Sequence, residues 1–193
     1  MNDRFEQIMT TNHTRSATEA IGGLATGTGG RLTLDDLNDH RKVGIKGPGA
    51  IDWLRTQVDR VPDDVYGLVR SGDGSILVRV GGDEIIIESP ASGELVNRIE
   101  STIEESPSGV YRVEQQGASL RLGGPDTALV WKQTCGVDVT AEPADRILYT
   151  RVAGVACGII PENLAGKRSY RLWVDYSYAP ALYKCLVDIG ESL

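Results

Sequence analysis

The stretch "SYRLWVDYSYAPALYKCLVDIG", Ser169 to Gly190, passes from a strand pattern straight into a helix pattern and carries four tyrosines and one tryptophan on the way. An earlier stretch, "EIIIESPASGELVNRI" (Glu84 to Ile99), has the same layout. In each, an acidic residue ends the strand run, and a serine or tyrosine leads into the helix. The tyrosine-rich segment is therefore the second copy of a strand-to-helix joint. The chain around it follows the same duplication.

Working outward, "KVGIKGPGAIDWL" (Lys42 to Leu54) and "LRLGGPDTALVWKQTCGVDV" (Leu120 to Val139) each read as strand, Gly-Pro, helix. Gly47-Pro48 is echoed by Gly124-Pro125. A proline near the first turn suits a helix start, because its missing N–H would have no intrahelical partner there. The first such helix is expected over about Ala50 to Val58, with Ile51, Leu54 and Val58 on one apolar face. "VYGLVRS", "SILVRV" and "EIIIES" read as strands joined by Gly-Asp turns, which supply the positive φ of tight hairpins. A helix capped near Ser89 or Ser92 then carries the stripe Leu95, Ile99 and Ile103. "RILYTRVAGVACGII" and "KRSYRLWVD" repeat the three strands. Their hairpin, "PENLAGKR", is longer than its counterpart, "GGD".

This order predicts an α+β fold of two similar subdomains, each a mostly antiparallel sheet with helices on one face. The expected divisions are a flexible N-terminal arm over 1–31, a first repeat over 32–107 and a second over 108–193. The arm is polar and ends in the Gly/Thr run "GGLATGTGG", which has no apolar periodicity.

The residues offer little chemistry. Of two histidines, His13 falls in the arm and His40, in "NDHRK", reads as a surface side chain without a motif partner. "GIKGPG" is not a dinucleotide loop, and Gly166-Lys167 is followed by Arg168 where a phosphate loop needs Ser or Thr. The acidic pairs Asp35-Asp36, Asp63-Asp64, Asp83-Glu84 and Glu104-Glu105 fall at turns and element ends, as caps or solubilising charges. Cys135, Cys157 and Cys185 are odd in number and lack CxxC spacing, so they read as free thiols of a reducing, cytoplasmic compartment. No secretory leader or membrane-spanning run is read. A formal net charge of −7 argues against a nucleic-acid partner, which calls for a basic face. Asp175 is expected to cap the last helix. The group Trp173, Asp175, Tyr176, Tyr178 and Tyr183 is expected at a partner interface or at the seam between the repeats, because Tyr and Trp are enriched where surfaces meet.

Taken in order, "KVGIKGPGAIDWL", "LRLGGPDTALVWKQTCGVDV" and "YRLWVDYSYAPALYKCLVDIG" resemble the gamma subunits of heterotetrameric sarcosine oxidases, over residues ~32–193. That family is itself similar to part of the glycine-cleavage aminomethyltransferase. The resemblance implies a small, non-catalytic subunit of a complex that oxidatively demethylates sarcosine or a related N-methyl amine such as N-methylglutamate. It implies that FAD, covalently attached FMN, NAD and zinc are carried by other subunits, and that tetrahydrofolate takes the one-carbon unit. The implied partners are a large folate- and dinucleotide-binding alpha chain and a flavoprotein beta chain. This chain itself is expected to hold no cofactor, no metal and no catalytic residue. Aminomethyltransferases carry an Asp-Asp pair at the folate. Here the matching place reads "SGDGSILVRVGGDE", with Asp73 as a loose stand-in. The alternatives are a stand-alone folate-binding or one-carbon-transfer protein, or a small subunit of another methylamine-oxidising complex.

Overall fold

The computed structural model describes residues 31–193. The arm expected over 1–31 lies outside the described residues, save for Arg31, which forms an ion pair with Asp126. The elements, in order, are β1 (Thr33–Asp36), β2 (Arg41–Lys46), α1 (Ala50–Gln57), β3 (Leu68–Arg70), β4 (Ile76–Gly81), β5 (Glu84–Ser89), α2 (Leu95–Thr102), β6 (Tyr111–Val113), β7 (Gly117–Gly123), α3 (Thr127–Thr134), β8 (Leu148–Val152), β9 (Val155–Leu164), β10 (Lys167–Asp175) and α4 (Ala179–Ser192). The fold is α+β, with two five-stranded antiparallel sheets.

One sheet has the order β3-β4-β5-β2-β6 and the other β8-β9-β10-β7-β1. The two orders are the same once the leading strands are exchanged. β1 opens the first repeat yet pairs with β7, and β6 opens the second yet pairs with β2. A division at 107/108 therefore does not follow the sheets, since each repeat lends its first strand to the other. The Gly-Pro turns show how the exchange is seated. Gly47 (φ +123°) and Gly124 (φ +104°) lie against the backbone that enters β6 and β1, and a Cβ would sit 2.2 Å from Gly109 O and 2.4 Å from Arg31 O respectively. Only glycine permits both the φ and that approach.

Strand alternation places three apolar layers. Val43, Ile45, Leu77, Ile85 and Ile87 face α1 and α2, where Trp53, Leu54, Leu95, Ile99 and Ile103 close the first core. Leu120, Leu122, Ile159, Tyr170 and Leu172 face α3 and α4, closed by Val130, Trp131, Leu182, Tyr183 and Leu186. Each such aliphatic side chain contributes about 1.5–3 kcal/mol on burial. The opposite faces of the sheets meet each other through Leu68, Ile76, Val78, Ile147, Ile160 and Trp173. The order is helices, sheet, sheet, helices. The edge segments are also tied, because Leu68 N donates to Asp145 O and Ile147 N to Tyr66 O, both at 2.8 Å.

Local details differ from expectation where distant residues intervene. Helix α2 begins at Leu95, after both expected caps. Asp73, from the β3–β4 turn, accepts from Glu94 N (3.1 Å) and Leu95 N (3.2 Å), while Ser89 Oγ accepts from Val96 N (3.1 Å). Among the described residues, no helix is long and apolar enough to cross a membrane.

Candidate functional site

The inner layer between the sheets holds charge as well as apolar side chains. Register sets its contents. The row Lys42, Glu88, Ile76 of the first sheet corresponds to Ser119, Trp173, Gly158 of the second. The next row reads Gly44, Ile86, Val78, Leu68 in the first sheet and Arg121, Arg171, Ile160 in the second. The repeat-related partners contact each other across the seam. Trp173 Nε1 donates to Glu88, and Ser119 Oγ donates to Glu88 at 2.9 Å. Lys42 Nζ lies 5.5 Å from the centre of the Trp173 ring.

Glu88 is 0% exposed and is the hub of this layer. Beyond Trp173 and Ser119 it contacts the Arg171 guanidinium, His40 Nδ1 at 2.9 Å and Lys42 Nζ at 3.8 Å. Burial alone would raise its pKa. The His40 hydrogen bond and the charges of Lys42 and Arg171 outweigh burial and hold it down at about 2. Lys42 goes the other way: burial lowers it to about 8, against the pull of Glu88. Its Nζ donates to Gly117 O at 2.6 Å. Arg171 also reaches Glu162 (2.9 Å), a second buried carboxylate, which takes Arg121 (3.0 Å) and Arg70 (3.3 Å) as well. One arginine thus joins two enclosed carboxylates from different repeats.

The chemistry open to this cluster is narrow. Glu88 is ionised and surrounded by donors, so it has no free position to accept a proton from a substrate. The arrangement holds two sheets in one register. A groove of about 650 Å³ lies elsewhere, beside Arg55, Arg60, Asp63, Asp64, Asp145 and Arg146, and meets the seam layer at Leu68. Among the described residues, no three His, Cys, Asp or Glu side chains are grouped to hold a metal ion. Asp73, the stand-in for a folate-site acid, is committed to capping α2 and to Ser75.

The residues expected at an interface or seam separate into three places. Trp173 is at the seam, 8% exposed. Tyr183 fills the second-repeat core beneath α4, which corrects its expected place at a face or seam; a tyrosine on the helix stripe points inward. Asp175, Tyr176 and Tyr178 stand exposed at the entry to α4. Asp175 accepts from Ser177 N (2.9 Å) and Ser177 Oγ (2.5 Å), which lowers its pKa. The match of Glu88 to Asp175 is also corrected, because strand register makes Trp173 the counterpart of Glu88 in the second repeat. His40 is not a lone surface histidine but a partner of Glu88. Glu88, Glu162, Arg171, Arg121 and Lys42 were not singled out from the sequence. The run Ile85-Ile86-Ile87 before Glu88 was the available signal, since an unbroken apolar strand is covered on both faces.

A search of curated proteins finds sarcosine oxidase subunit gamma of Corynebacterium sp. (strain P-1), 26% identical over 195 residues, covering 94% of this chain and 92% of that one. Among solved structures, a chain of the heterotetrameric sarcosine oxidase from Corynebacterium sp. U-96 superposes with a TM-score of 0.74 at 20% identity, over 93% of this chain and 95% of that one. The chain resembles a sarcosine oxidase gamma subunit. The glycine cleavage system aminomethyltransferase T from Bartonella henselae follows, with a TM-score of 0.58 at 16% identity, over 85% of this chain. The chain spans about half of that protein, 47%. At these identities the two structures carry the fold alone. No family model matches the chain.

Proposed function

We propose that this chain is the gamma-type subunit of a sarcosine-oxidase-like heterotetramer and acts in it as a non-catalytic structural part. The similarity to a named gamma subunit across 94% of the chain carries the reading. The seam supports it, because its ionisable groups are spent on joining the repeats. In this reading the complex oxidatively demethylates sarcosine or a related N-methyl amine in the cytoplasm and passes the one-carbon unit to tetrahydrofolate. A large folate- and dinucleotide-binding alpha chain and a flavoprotein beta chain are the partners, and they hold FAD, FMN, NAD and zinc.

The test is purification of the tagged chain from its own cells. Co-purification of a large chain and a flavoprotein chain, with flavin absorbance and amine-dependent oxidase activity, is the expected result. Recovery of a colourless single chain that binds tetrahydrofolate would overturn it in favour of a stand-alone folate protein. The Asp73 cap weighs against that second reading.

A further inference from the structure

One end of the seam is closed by charge, and the charges there do not balance. Glu162 takes Arg70, Arg121 and Arg171, while Glu88 takes Arg171 and Lys42. Four cations therefore meet two carboxylates, an excess of two. Charge without a partner is costly once water is excluded. Burial lowers the pKa of Arg70, and the neighbouring charges of Arg171 and Arg121 lower it further, against the pull of Glu162. Asp35 stands beside Arg121 in register, but among the described residues Arg121 is ion-paired to Glu162 and not to Asp35.

Donors are left over as well. Arg121 spends Nε on Glu162 at 3.0 Å, and its two Nη groups donate to nothing among the described residues. Its side chain is 21% exposed, so a small solute can reach it. Ser169 is buried, and its hydroxyl has no partner; the same is true of Nε of Arg171. Register gathers these groups. Ser169 is opposite Glu162 on one side and Gly123 on the other, and Arg121 lies two residues before Gly123 on the same face. Gly123 has no side chain to fill the place between them. A Cβ there would lie 2.8 Å from Thr33 Oγ1 and 3.6 Å from Ser169 Cβ, so two hydroxyl-bearing residues flank the glycine.

We propose that this corner, formed by Arg121, Ser169 and Thr33 around Gly123, binds a small oxyanion, a phosphate or a carboxylate. The unspent guanidinium fork of Arg121 matches two oxygens of such a group. The two hydroxyls donate to its remaining lone pairs. Its charge answers part of the excess that Glu88 and Glu162 leave. Chloride could answer the charge but not the fork, and a cation would add to the excess. The inference needs this chain alone and does not rest on the subunit reading.

The test is the melting temperature of the full chain in inorganic phosphate, in acetate and in chloride at one ionic strength, with calorimetric titration of the better oxyanion. A site of about 1 mM affinity should raise the melting temperature by about 3–6 °C in about 10 mM oxyanion, relative to chloride. Arg121→Gln and Ser169→Ala should each weaken binding about tenfold or more, because each removes a hydrogen bond to a charged ligand. Ser169→Ala touches no ion pair, so it should keep the native melting temperature in chloride and decides the matter if the Arg121 variant is unstable. Arg60→Gln removes an exposed arginine elsewhere on the surface and should change nothing. A larger rise in phosphate assigns the site to phosphate, and a larger rise in acetate assigns it to carboxylates. Equal melting in all three salts overturns the proposal. A rise that Ser169→Ala keeps in full overturns it too, as does one that Arg60→Gln abolishes equally, since the oxyanion then acts elsewhere or by general attraction.

Discussion

The two ends of the seam occupy equivalent places in a duplicated fold, yet one is sealed by charge and the other left open with tyrosines. The sealed end uses three arginines on Glu162, with Arg171 carried on to Glu88. The other end has a shorter hairpin, and Tyr149 and Tyr66 are half exposed there. A repeat that needed only to be stable would gain by closing both. Variants at the sealed side should therefore damage folding more than variants at the other end.

The largest effect is expected at Glu88. Glu88→Gln leaves Arg171 and Lys42 facing each other without their shared anion, and breaking a buried pair in this way costs about 3–5 kcal/mol. Urea unfolding measures it. A shift under about 1 kcal/mol would mean that the hub does not tie the repeats. The same group sets an acid limit. Its folded pKa of about 2 lies below the ordinary 4.5, so its stabilisation is complete above about pH 4.5 and is lost as pH falls toward 2. The span corresponds to about 3 kcal/mol. Glu88→Gln should flatten that slope.

Trp173→Ala comes next in size. It opens a cavity in the inner layer and removes a donor to Glu88, for about 3 kcal/mol in all, the lower end of the range for a buried aromatic because the ring keeps some exposure. An unchanged melting temperature would show that the seam is not packed on this ring. Trp173→Phe should lie well below Ala, because it keeps the apolar body and loses only the N–H.

What the sequence told of this architecture, and what it hid, follows from range. The Gly-Pro turns, the hairpins and the stripe Leu95, Ile99, Ile103 are local signals and are found, although the prolines precede the helix N-caps and the positive φ expected of both Gly-Asp turns occurs at Gly74 and not at Gly81 or Gly82. The inner layer is different. "YRLWVD" alternates core and seam residues, and an alternation with arginine reads as a strand with one wet face, although Arg171 is buried. His40 is 48 residues from Glu88, so no motif spacing links them. The strand exchange rests on segments of three and four residues, too short to show a period. Tyr66 and Tyr149 are hidden for a related reason: Tyr176 and Tyr178 are neighbours in sequence, whereas only the fold brings Tyr66 and Tyr149 together.

A subtler effect is expected at Lys42. Its amine is lowered to about 8 from the ordinary 10.5, so between those values the unfolded chain holds a proton that the folded chain has released. Folding stability should therefore rise as pH increases from 8. Cys157 opposes this above about pH 9, where the unfolded thiol ionises while burial keeps the folded one neutral up to about 11. The rise is cleanest between pH 8 and 9, and Lys42→Met should abolish it. A profile that is the same in both proteins would mean that Lys42 stays solvated.

The smallest effect is expected at the strand-to-helix joint before α4. Asp175 holds Ser177 by one oxygen, and an asparagine amide oxygen can accept the same two hydrogen bonds. Asp175→Asn should leave the melting temperature unchanged. If it also leaves assembly and oxidase activity of the complex unchanged, Asp175 is a turn residue and nothing more. If activity falls while the complex stays intact, the acid acts on something the partner presents, and the start of α4 becomes a second meeting point. Asp73→Ala gives the scale for comparison. Asp73 caps α2 from another turn of the chain, so its loss should cost about 1 kcal/mol. A cap drawn from a distant turn ties two segments of the first repeat together, whereas Asp175, expected as a cap, holds only the turn before α4, whose N-cap is Tyr178.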